Sequence, residues 1–201
     1  MTVKSWFELE EAAAQGFGDG VLCAAILTCL ERGNQPETIR AVIATGGSGI
    51  GRLMRDSMFF RMHMVAARAW APVRHKDDLH LRTAIEFLAA NPSEVTKQEV
   101  QRRDSLAEAG RLFEALDQSD LHRRIERMRH KEMAHVARYG EDPPRPVIKD
   151  VFRFVQETCA IWEALAFGAG VAYVSIDSQV AAYRRSAASF WDHFEGLSAK
   201  A

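Results

Sequence analysis

The chain has 201 residues, 47% of them hydrophobic and 26% charged, with a net charge of −1. Those proportions exclude a disordered or fibrous chain and predict one compact domain, spanning 1–201, with its own core. A net charge this small excludes a global field that gathers nucleic acid, so any anionic partner must be met by a local basic patch.

In chain order, the first stretch, MTVKSWFELEEAAA, sets Glu8, Glu10 and Glu11 where a secretory signal needs an apolar run, which predicts no export. Apolar residues recurring at three and four predict helices over 3–32 (breakable at Gly16 to Gly20), 36–45, 49–70, 77–90, 93–117, 119–138, 146–173 and 176–195. Between them lie turn signals: Gly33-Asn34-Gln35-Pro36, Gly46 to Gly51, Ala71-Pro72, Asn91-Pro92 and Gly140 to Pro146. The implied architecture is an all-α bundle of six to eight long, mostly antiparallel helices joined by short loops.

Cys23, Cys29 and Cys159 are odd in number, lack metal spacing and sit among apolar residues, which predicts free thiols in a reduced, cytoplasmic setting. The longest uncharged run, Ala164 to Ile176, falls short of the roughly 20 apolar residues that a membrane span requires, so no membrane is expected. Its alanines and glycines predict close packing of a neighbouring helix. Trp162 and Trp191 lie on helical stripes and read as core, and His63, in RMHMVAARAW, as an ordinary core or surface histidine.

The glycine loop Thr45 to Gly51, TGGSGIG, invites a dinucleotide-binding reading, and counting rejects it. Starting G-x-G-x-x-G at Gly47 puts Arg52 at the third glycine, and starting at Gly49 puts Met54 there. The loop is expected to be a helix-to-helix connection whose glycines supply positive φ.

Residues 121–131, LHRRIERMRHK, hold five Lys or Arg against the single acid Glu126. Ser119 or Asp120 suits an N-cap, and Leu121, Ile125 and Met128 form an apolar stripe that continues through Glu132 and His135. The inward face thus turns polar, and polar groups there need partners, because an unpaired buried one costs about 1–3 kcal/mol. Three readings fit. Glu132 and His135 could hydrogen-bond across the bundle; Glu132-x-x-His135 could ligate metal, with Asp77-x-x-His80 as the one weak second arm; or an imidazole beside an arginine fork could serve phosphate chemistry. The basic flank favours the third.

Arg129-His130-Lys131-Glu132-Met133-Ala134-His135 resembles the motif of the HEPN superfamily, in its abortive-infection, AbiU-like form Arg-polar-Lys-x-x-Ala-His. The likeness is specific at the motif and loose over residues 50–195. It implies a HEPN-like fold and a metal-independent endoribonuclease in phage defence or a toxin–antitoxin pair, needing no cofactor and no metal. Arg129 and His135 would be catalytic, with His130 and Glu132 supporting them and Arg124, Arg127 and Lys131 on RNA phosphates. The implied partners are RNA, a second copy of the chain and an antitoxin protein. Many AbiU-like members carry an acid two residues after the motif histidine, where this chain has Ala137. The alternative is therefore a catalytically inactive HEPN-like module that binds RNA, nucleotide or a protein partner.

Overall fold

The computed structural model describes residues 3–72, 79–130 and 144–198. Among them the chain is all-α: α1 (Trp6–Gly33), α2 (Pro36–Ala44), α3 (Ser48–Ala69), α4 (Leu81–Ala90), α5 (Pro92–Thr96), α6 (Val100–Asp117), α7 (Asp120–Met128), α8 (Ile148–Ala169) and α9 (Ile176–Ser198). The expected helical bundle is present, and its starts follow side-chain chemistry. Ser5 caps α1 by accepting the Glu8 N–H at 3.2 Å, Pro36 occupies the first turn of α2, and Ser119 caps α7 through the His122 N–H at 3.0 Å.

Three boundaries differ from the sequence reading. α1 runs unbroken through Gly16 and Gly20, because both glycines are packed against large side chains rather than turned. The segment read as one helix over 93–117 is a single turn followed by α6, since Glu99 is extended (φ −58°, ψ 153°) and starts the second piece. Over 77–90 the helix begins only at Leu81, with His80 extended ahead of it. The last part of the helix expected over 119–138 lies outside the described residues. Gly46 has φ 72° and turns α2 into α3, as the glycine loop requires.

α1 is the central element and packs on α3, α8 and α9, while α6 lies along α8. α1 is long and apolar enough to cross a membrane, with a window of mean hydropathy 1.5 of which 39% is buried inside the bundle. Gly168 of α8 is where α6 comes closest: a Cβ there would stand 2.5 Å from Leu106 Cγ and 3.0 Å from its backbone nitrogen. Small residues on α8 thus serve close packing, as expected. Gly170 (φ 80°) ends the helix, and Arg102 donates from Nε to the Gly168 carbonyl at 3.0 Å and from Nη2 to that of Ala169.

Trp162 and Trp191 are buried. So is Trp70, at the end of α3, which stacks on Phe113 at 4.7 Å and donates its indole N–H to Thr158 Oγ1 at 3.1 Å. That hydroxyl in turn donates to the Phe154 carbonyl at 2.8 Å. Thr158→Val keeps the volume and removes the acceptor, leaving a buried indole N–H unsatisfied. It is expected to cost about 1–3 kcal/mol, read by urea denaturation against wild type.

Candidate functional site

α7 buries Leu121, Ile125 and Met128, the predicted stripe, so the arginines between them are held at fixed angles to the bundle. Their fates differ. Arg124, expected on a phosphate track, is clamped into the fold: Nη1 donates to Asp150 at 2.8 Å, Nε lies 3.1 Å from Asp120, and the side chain is 20% exposed. Asp150 also accepts the Val147 N–H at 2.9 Å, so the clamp ties α7 to the first turn of α8. Arg127 is half-buried on the same helix.

Arg129 follows with helical backbone (φ −55°, ψ −48°) and turns its side chain across to α3. Its Nη1 donates to the Ala67 carbonyl at 3.3 Å. That carbonyl belongs to the last turn of α3, where a helix carries partial negative charge and holds a cation well. Nη2 stands 3.2 Å from His130 Nε2. A guanidinium only donates, so a hydrogen bond there requires the exposed His130 to accept at Nε2. No carboxylate pairs with Arg129 among the described residues.

Two further histidines lie here: His63, which the sequence reads as an ordinary core or surface histidine and which is in the core, and His122, which sequence reasoning missed. His63 lies one helical turn before Ala67 on α3, is 1% exposed, and its ring nitrogens have no hydrogen-bond partner among the described residues. Burial, and then the positive charge of Arg129, push its pKa down to about 4. His122, also buried, lies 4.8 Å from the Trp70 ring and 6.1 Å from that of Phe154, with Nδ1 3.2 Å from the Asp117 carbonyl. Ala67, Trp70, His122, Glu126, Arg129 and Phe154 line a small surface hollow of about 10 Å³, room for about one water molecule. The arrangement is a guanidinium anchored at a helix end beside the Trp70, His122 and Phe154 rings.

His63 supplies a pH test. Its folded pKa is below the ordinary 6.5, so between pH 6.5 and about 4 the unfolded chain binds more protons and stability falls as the pH falls through that window. At pH 5 the loss from this group is about 2 kcal/mol relative to neutral pH. His63→Leu is expected to remove that loss, so that the mutant's urea midpoint falls less than wild type's between pH 7.5 and 5.

Of the residues singled out in the sequence, Lys131, Glu132, His135 and Ala137 lie outside the described residues, as does Asp77. His80 is buried at the start of α4. Among the described residues no three His, Cys, Asp or Glu side chains cluster as a metal site would require. Cys23 and Cys159 are free thiols raised well above the ordinary value by burial.

A family model, the HEPN-class AbiU2, matches residues 38–190. No curated protein and no solved structure gives a significant match.

Proposed function

The chain belongs to the AbiU2 family of HEPN proteins, and from that premise we propose that it is a metal-independent endoribonuclease of phage defence or of a toxin–antitoxin pair, cutting RNA at a homodimer cleft. The observation that carries this reading is the contrast between two arginines on one helix. Arg124 is neutralised by Asp150 and Asp120, whereas Arg129 is anchored by a carbonyl and keeps its charge available to an anion.

In the proposed reaction a ribose 2′-hydroxyl attacks the neighbouring phosphorus as its proton leaves, and the bond to the 5′-oxygen breaks. The products are a 2′,3′-cyclic phosphate and a 5′-hydroxyl. His135 takes the first proton or gives one to the leaving oxygen, and Arg129 stabilises the charge growing on the phosphoryl oxygens. His130 and Glu132 orient these groups, while Arg127 and Lys131 hold flanking phosphates, so binding weakens with salt. Arg124 acts from behind, by fixing the angle of α7. Six residues separate Arg129 from His135, which sets them about 120° apart on a straight helix. Two chains meeting at a cleft supply both groups to one phosphate.

The second reading, a catalytically silent module binding RNA, nucleotide or a protein partner, is favoured by Ala137, which stands where the resemblance to AbiU-like motifs leads one to expect, in many members, an acid. One experiment separates the two. Purified wild type, Arg129→Ala and His135→Ala are incubated with structured RNA in EDTA. Cutting by wild type alone, with cyclic-phosphate ends, supports the nuclease; intact RNA with a folded wild type supports the module.

A further inference from the structure

α8 and α9 both lie along α1 but make almost no contact with each other. Glu163 of α8 accepts the Ile176 N–H, which pins the start of α9. The three helices then border a cavity of about 220 Å³, against about 10 Å³ for the hollow beside Arg129, with which it shares no lining residue. Pockets for drug-sized ligands begin at about 300 Å³, so this one suits a smaller organic molecule.

The cavity is apolar at its floor and charged at its mouth. Leu27, Ile176 and Val180, all buried, form the floor. Ile176 is seated where Gly20 of α1 has no side chain: a Cβ there would stand 2.7 Å from its Cδ1. In the wall, Thr28 donates its hydroxyl proton to the Ala24 carbonyl at 2.9 Å, and the Cys159 thiol donates to that of Gly20 at 3.5 Å. At the mouth stand the exposed Glu31, Asp177 and Arg184. Arg184 bonds Asp177 and lies close enough to Glu31 to feel its charge. Two carboxylates nevertheless face one guanidinium, and Glu31 makes no ion pair among the described residues.

We propose that this cavity binds a small primary amine in its protonated form, with the apolar body on the Leu27, Ile176 and Val180 floor and the ammonium at the mouth between Glu31 and Asp177. An ammonium offers three donors and no acceptor, which suits a wall whose hydroxyl and thiol have already spent their protons. Its charge cancels the one excess negative charge of the mouth. A carboxylate on the same body would add to that excess, and an alcohol would leave it standing. Arg184 competes for the same two carboxylates, so the amine enters by displacing it. The site goes beyond the nuclease reading and is independent of it.

The full-length protein is titrated calorimetrically at neutral pH and low salt with four probes: hexylammonium, hexan-1-ol, hexanoate and methylammonium. The expected result is saturable one-to-one binding of hexylammonium, binding of hexan-1-ol about tenfold weaker, and none for the other two. Hexylammonium should also raise the melting temperature with concentration, as a ligand of the folded state does. Glu31→Gln should weaken hexylammonium about tenfold, and Arg184→Ala, which removes the competing cation, should tighten it. Ala24→Leu, which fills the cavity from α1, should abolish binding. Circular dichroism checks each fold, and the two surface variants decide the matter if Ala24→Leu does not fold. Hexanoate binding that is lost in Arg184→Ala makes the cavity an anion site and overturns the proposal. So does the absence of hexylammonium binding, or binding indifferent to Glu31→Gln and Arg184→Ala, which is loose surface association. RNA cleavage in EDTA decides the nuclease reading whatever the amine does.

Discussion

Arg129→Ala is expected to lower RNA cleavage by about 10²- to 10³-fold while the protein stays folded, the scale set by removing one preorganised group that stabilises a developing oxyanion. The fold should tolerate the change because among the described residues Arg129 makes a single hydrogen bond to the bundle, at 3.3 Å to the Ala67 carbonyl, worth about 1 kcal/mol. Arg129→Lys separates charge from geometry. An ammonium keeps the cation at the end of α3 but cannot hold the carbonyl and fork onto a phosphate together, so its activity should fall between alanine and wild type. A spectroscopic readout goes with the kinetics: the Arg129 charge helps to push the His63 pKa down, so Arg129→Ala should move it upward, measured by NMR titration. Single-turnover cleavage in EDTA, with thermal melts of each variant, checks the rest. Wild-type rates in Arg129→Ala would exclude this arginine from the chemistry.

The fold was legible wherever one face of a helix is apolar and the other is not. On α8, Val151, Phe154, Thr158, Ile161, Leu165 and Ala169 recur at three and four, and all are buried. On α3 the pattern is mute, because Ile50, Leu53, Phe60 and Met64 are as apolar as the residues facing the core, and only packing shows which face is covered. The break between α5 and α6 carries no glycine or proline; it rests on one extended residue, Glu99. Arg129 could be named from its neighbours in the chain. His63 was legible as an ordinary core or surface histidine, but its place a turn from the carbonyl that holds Arg129, and that of His122 with its ring tilted against Trp70, are tertiary. The clamp on Arg124 has the same origin, since Asp150 is far away in sequence and adjacent only when α7 crosses the start of α8.

Gly16→Ala is expected to destabilise the protein by about 3 kcal/mol, although the same substitution inside a helix ordinarily gains up to about 1 kcal/mol. The sign is set by Trp162. A Cβ at Gly16 would stand 1.9, 2.1 and 2.3 Å from Cε3, Cζ3 and Cδ2 of that indole, well inside contact distance. The ring is 4% exposed and packed between α1 and α8, so α1 must move or the ring must leave its position. Gly18, two residues along, has nothing within 4 Å of its would-be Cβ, and Gly18→Ala should show the ordinary gain. For a chain of this size 1 kcal/mol is about 2–4 °C in Tm, so the two variants should melt on opposite sides of wild type by margins that a thermal scan resolves. Trp162→Leu, itself destabilising, makes room for the methyl, and Gly16→Ala on that background should cost much less than on wild type. An equal cost on both backgrounds would mean that the indole is not what the methyl meets, and the close approach of α1 and α8 at this glycine would have to be abandoned.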